Sequence, residues 1–180
     1  MKRMGLFERF AYGLGSALVA LTASVTAQAA DTKPLETVPK VDLKRYLGKW
    51  YEIARNPAFF QKNCYASTAE YSLREDGDIK VVNSCHKGSP DGKLKVSEGK
   101  AWVTDKETGA KLKVMFVWPF SGKYWVIDLG TEYEYAVVGE PKRNYLWILS
   151  RTPAMDPAVY NGLLERLKAQ GYDTSKLIRM

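Results

Sequence analysis

The sequence is poor in the side chains from which reactive sites are usually built. It has one histidine, His86, and two cysteines, Cys64 and Cys85, in 180 residues. Neither cysteine stands in a C-x-x-C spacing, which leaves no sequence support for a redox pair or a zinc site. There is no serine nucleophile elbow, no paired-carboxylate motif and no glycine-rich phosphate loop. The one long apolar stretch, residues 11–25, falls short of the ~20 residues that a membrane span requires. These gaps give catalysis little support, and no cofactor or metal is expected.

What is present at the N-terminus reads as an export signal. Lys2, Arg3 and Arg9 make a basic start, residues 11–25 are apolar and small, and Ala27-Gln28-Ala29 matches an A-x-A cleavage site. Residues 1–29 are therefore expected to be removed, and residues 30–41 to form a flexible polar lead-in. No cysteine lies near the cleavage site to carry a lipid. Setting aside Lys2, Arg3, Arg9 and Glu8 leaves 24 basic and 19 acidic residues, a net charge of +5. Such an excess suits an anionic membrane surface or ligand as well as simple solubility. Export takes the chain away from nucleic acid. It also makes a disulfide the natural state of Cys64 and Cys85.

From residue 48 onward the pattern is short apolar runs broken by turn residues. Runs at 48–55, 65–73, 79–83, 94–103, 112–118, 124–129, 133–139 and 145–151 are separated by Glu75-Asp76-Gly77, Ser89-Pro90-Asp91-Gly92, Thr108-Gly109, Phe120-Ser121-Gly122, Gly130-Thr131 and Pro141-Lys142-Arg143-Asn144. About eight short strands at this spacing predict an all-β barrel or sandwich, and the short connections predict antiparallel neighbours in an up-and-down meander. One helix follows: Asp156 can cap it, Pro157 suits its first turn and Gly171 can end it. Val159, Leu163, Leu164 and Leu167 form its apolar stripe, which should pack on the outside of the barrel. Parity tests the cysteines. A turn at 75–77 sets Arg74 against Asp78, and a regular ladder then sets Cys85 against Ser67. A bend near residues 64–66 is needed to bring Cys64 to Cys85.

Three stretches carry a family resemblance. GKWYEIAR begins with Gly48-Lys49-Trp50 and resembles the G-x-W signature of lipocalins. YEYAVVGEP at 133–141 and YLWILSRTP at 145–153 resemble the second and third regions of that family, in the right order. With DLKRYLGKWYEIAR, SEGKAWV and the late helix, the resemblance covers most of residues 42–178. It points to the bacterial Blc-type members and to apolipoprotein D, with residues 42–180 as the lipocalin domain. The resemblance implies that the meander closes as an eight-stranded antiparallel up-and-down β-barrel, that Trp50 plugs one end of it and that Arg151 lies across it. It also implies a cavity for a fatty acid or lysophospholipid, held for maintenance of the bacterial envelope. Relatives of the bacterial type are anchored at the outer membrane through a cysteine. The signal read here lacks one, so the expectation is a soluble periplasmic protein with peripheral contact to the outer membrane. Interior candidates are Tyr71, Val81, Trp102, Val114, Phe116, Trp118, Tyr135 and Trp147. Lys93, Lys95 and Lys123 are candidates to meet a head group. Two alternatives remain: an enzyme acting on a small apolar substrate, and a tetrapyrrole or haem carrier resting on His86.

Overall fold

A computed structural model describes residues 33–180; the expected signal peptide lies outside the described residues. Among the described residues there are nine strands: β1 Gly48–Arg55, β2 Cys64–Leu73, β3 Ile79–Lys87, β4 Lys93–Val103, β5 Lys111–Val117, β6 Phe120–Leu129, β7 Tyr135–Gly139, β8 Leu146–Ser150 and β9 Ile178–Arg179. β1 to β8 pair with their sequence neighbours, and β8 pairs back onto β1. The result is a closed, antiparallel, eight-stranded barrel. Closure removes the exposed edges that an open sheet would present. The two-residue β9, which the sequence pattern does not announce, adds to β1 at Ala54 and Arg55.

The register of β2 and β3 follows from the turn between them. Gly77 takes φ +82° and Arg74 N–H donates to Asp78 O at 2.8 Å. Leu73 then faces Ile79, and the ladder runs regularly to Thr68 facing Ser84. The next pair is Tyr65 with His86, so Ala66 and Ser67 together oppose Cys85. Ala66 sits at φ +46° in this bulge. The slip places Cys64 at a Cα–Cα distance of 5.4 Å from Cys85, and the two are bonded. This is the bend that parity requires.

Three boundaries differ from expectation for identifiable reasons. The turn between β5 and β6 falls at Trp118-Pro119 rather than Phe120–Gly122. Pro119 has no N–H for the ladder, so Val117 pairs with Phe120 directly across it. β7 starts at Tyr135 because Tyr133 takes φ +61°, and its hydroxyl accepts the Asp42 N–H at 2.7 Å. The lead-in is docked over its described part: Leu35 and Val41 are buried, and Val38 N–H donates to Val126 O at 3.0 Å. Apolar residues spaced along 35–41 find the barrel wall, which outweighs the polar character of the segment.

Two apolar layers result. One lines the barrel axis. The other lies between the outer wall and the helix Pro157–Ala169 (α2), joining Ile53, Ile127, Val137 and Ile148 to Tyr160, Leu163 and Leu167. The buried row of α2 is thus Tyr160-Leu163-Leu167, with Leu164 half-buried and Val159 exposed. Asp156 caps the helix through Ala158 N and Val159 N. Arg166 fastens it to the barrel by donating to Asp128 at 2.6 Å. This layer explains why the strands beneath it are apolar on both faces.

Candidate functional site

An up-and-down barrel places alternate loops at the same end, so its two mouths can be described separately. At one mouth the short helix Leu43–Tyr46 (α1) crosses below the strands. Gly48, at φ +91°, lets the chain turn sharply from α1 into β1. Trp50 is fully buried, and its Nε1–H donates to Tyr46 O at 2.9 Å. The Arg151 guanidinium lies 3.7 Å from the centre of the indole ring. It donates to the carbonyls of Lys49, Arg45 and Tyr133 at 3.0, 2.6 and 3.3 Å. Burial lowers the Arg151 pKa from its ordinary value, yet a guanidinium remains charged there.

Above Trp50 three phenols meet. Tyr46 and Tyr124 share a hydrogen bond of 2.8 Å, and Tyr71 and Tyr124 share one of 3.0 Å. Burial pushes the Tyr71 hydroxyl up to about 12 and moves Tyr46 and Tyr124 upward as well. Farther along the axis the lining is Val81, Leu112, Val126, Ala136 and Val138.

The half nearer the other mouth contains a buried polar network that the sequence pattern did not single out. A bulge in β1 between Glu52 and Ala54 sets Glu52 and Arg55 close together, and they form a buried ion pair. Gln61 donates to Glu52 at 2.8 Å and accepts from Trp147 Nε1 at 2.8 Å. Arg55 Nη2 also donates to the carbonyls of Gln61 and Cys64. Arg55 Nε, Ser67 Oγ and Asn83 Oδ1 are buried without a protein partner. The available signal was a carboxylate at the centre of an otherwise apolar strand, which is costly unless it is paired.

The eight interior candidates divide. Tyr71 and Val81 are buried in the axial layer, and Val114 and Trp147 pack against it. Phe116 lies over Gly99, where even a methyl group would collide with its ring. Trp118 stands exposed at the β5–β6 turn. Trp102 and Tyr135 fall on the outer wall. Trp102 alternates with the inward Ala101 and Val103, while the Tyr135 hydroxyl donates to Asp128 and accepts from Arg166. Of the three lysines, Lys95 pairs in register with Cys85 and Lys93 sits at the mouth, whereas Lys123 lies outside near Trp125. His86 alternates outward from the buried Cys85, and its Nδ1 lies 2.8 Å from Gly92 O. A solvent-open groove of about 440 Å³ runs outside the first mouth between residues 40–44 and 106–109. Its lining carries both charge signs. Among the described residues no helix is long and apolar enough to cross a membrane.

This geometry agrees with what the chain resembles. The model of the lipocalin-like domain matches residues 41–180. The outer membrane lipoprotein Blc of Escherichia coli K12 is 46% identical over 157 residues, covering 86% of this chain and 88% of that one. Apolipoprotein D of Mus musculus is 38% identical over 147 residues, covering 76% and 74%. Among solved structures, insecticyanin of Manduca sexta superposes with a TM-score of 0.66 at 22% identity, covering 82% and 84%, a likeness of fold alone. With the closed barrel, the outer helix and matches of this extent together, the chain belongs to the lipocalin family.

Proposed function

We propose that this lipocalin binds a fatty acid or lysophospholipid in its barrel and stores or carries it for membrane maintenance in a bacterial envelope. The observation that carries the reading is the incomplete burial of side chains that face the axis. Ala69, Val114, Tyr124 and Trp147 are only half-buried although they line the inside, and Phe116 is 39% exposed. Solvent therefore reaches into the lumen from the second mouth. An acyl chain replacing that solvent gains ~0.8 kcal/mol per buried methylene, offset in part by ordering costs. The unpartnered Arg55 Nε, Ser67 Oγ and Asn83 Oδ1 offer polar contacts near that mouth. The Glu52–Arg55 pair is neutral overall, so the site does not demand a free carboxylate.

The periplasm is the proposed location, through the signal pattern and the similarity to a protein named as an outer membrane lipoprotein. A carrier is preferred to an enzyme because both cysteines are joined, so no free thiol exists to act as nucleophile. A haem carrier relying on His86 would need that ring inside, and it alternates outward.

Lipid extraction under denaturing conditions tests the proposal. Protein purified from a bacterial envelope should release acyl lipids detectable by mass spectrometry, and added fatty acid should quench tryptophan emission through Trp147. Lipid-free protein with unquenched tryptophan at saturating fatty acid would overturn it.

A further inference from the structure

The second mouth carries a second feature, on its outside. Phe59 is 84% exposed, Trp118 81%, Phe120 76%, Val117 66% and Phe60 46%. Phe59 and Phe60 form the 3-10 turn between β1 and β2, while Val117, Trp118 and Phe120 form the β5–β6 turn. In an up-and-down barrel both connections lie at the same end, across the mouth from one another. Apolar side chains gathered on loop tips at this density mark a contact surface. Phe60 is braced by Tyr145 and Trp147 at 5.7 and 6.4 Å, which holds Phe59 outward.

Charge identifies what covers this surface. The connections of the second mouth, residues 56–63, 87–93, 117–123 and 140–145, hold six basic and two acidic side chains. The turns at the opposite end, residues 74–78, 104–110 and 130–134, hold seven acidic and two basic ones. Adding Lys40, Asp42, Lys44 and Arg45 around α1 does not reverse the sign of that end. The barrel therefore has a charge polarity along its axis. An anionic surface attracts the mouth and repels the plugged end.

We infer that the open mouth docks on an anionic phospholipid bilayer, with Phe59, Val117, Trp118 and Phe120 entering the interface and the surrounding lysines meeting phosphates. Aromatic residues favour that interfacial depth, and basic residues near an anionic leaflet add attraction. The inference deepens the proposed function, on which it rests for its biological sense, because docking would set the lumen against a lipid reservoir. The binding itself can be measured separately.

Co-sedimentation with phosphatidylethanolamine vesicles, with and without phosphatidylglycerol, is the test. The protein should bind the phosphatidylglycerol vesicles and release as salt rises. Phe59→Ser/Phe120→Ser should weaken binding at least about tenfold, because a large apolar contribution is lost. Lys62→Glu/Lys142→Glu should weaken it severalfold and flatten the salt dependence. Fatty-acid uptake by Phe59→Ser/Phe120→Ser without vesicles should match the parent protein. If uptake fails in the parent protein while vesicles bind, the carrier reading falls and docking stands. Absence of vesicle binding, or equal binding by both variants, overturns docking. So does concentration-dependent self-association that the Phe59→Ser/Phe120→Ser pair abolishes in protein that ignores vesicles, since the rim would then be a dimer contact.

Discussion

The two mouths of this barrel are made by the same eight strands and have opposite characters. At the first, the aromatic side chains close the end: Trp50 is buried, Arg151 covers it and three phenols satisfy one another above it. At the second, aromatic side chains point into solvent and a buried ion pair leaves Arg55 Nε without a partner. A closed sheet can thus seal one end and leave the other open. Large aromatic side chains close one end of the lumen, while at the other end they stand on the rim and leave it open.

Three experiments test this contrast. Trp50→Ala removes the plug and leaves a large cavity, and should cost ~3–5 kcal/mol of stability by urea denaturation. A loss below 1 kcal/mol would mean that the first mouth is not where stability resides. The buried phenols give a pH signature. The neutral form of Tyr71 is favoured in the folded barrel, with its hydroxyl pushed up to about 12. The unfolded chain binds fewer protons between pH ~10 and that value. The stability from Tyr71 is therefore intact below pH ~10 and is lost as pH rises through about 12, a loss of ~2–3 kcal/mol. Tyrosinate absorbance should lag behind that of denatured protein over this window, and normal titration would contradict the enclosed trio. The smallest effect belongs to the second mouth: Phe59→Ser should shift stability by no more than ~0.5 kcal/mol, although the proposed docking depends on the same residue. A large loss would show that the rim supports the fold.

Parts of this were legible in the chain. Strand count, antiparallel order and the outer helix follow from turn spacing and from the cap at Asp156. The bulge beside Cys64 followed from parity, because a side-chain period of two makes any slip detectable. The facing of Trp102 and Tyr135 was not legible. Where a strand is apolar on both faces, parity does not say which face is inside, and bulges such as that between Val126 and Asp128 reset it along the way. The Glu52–Arg55 pair was hidden for a related reason. An arginine ending an apolar run looks like the exit to solvent, and only the bulge in β1 brings it beside Glu52. The docked lead-in and β9 were missed because short segments draw their stability from surfaces that other segments build.

Local periodicity and turn chemistry, legible in the amino-acid order, set the succession of short antiparallel strands, the helix after them and the slip that joins two cysteines, whereas closure of the ring rests on β8 pairing with β1. Only the tertiary structure decided which aromatics look inward, which charges are buried together and which end of the barrel is cationic and apolar. Those are properties of faces and ends, and they exist only once distant strands have been set side by side in one register.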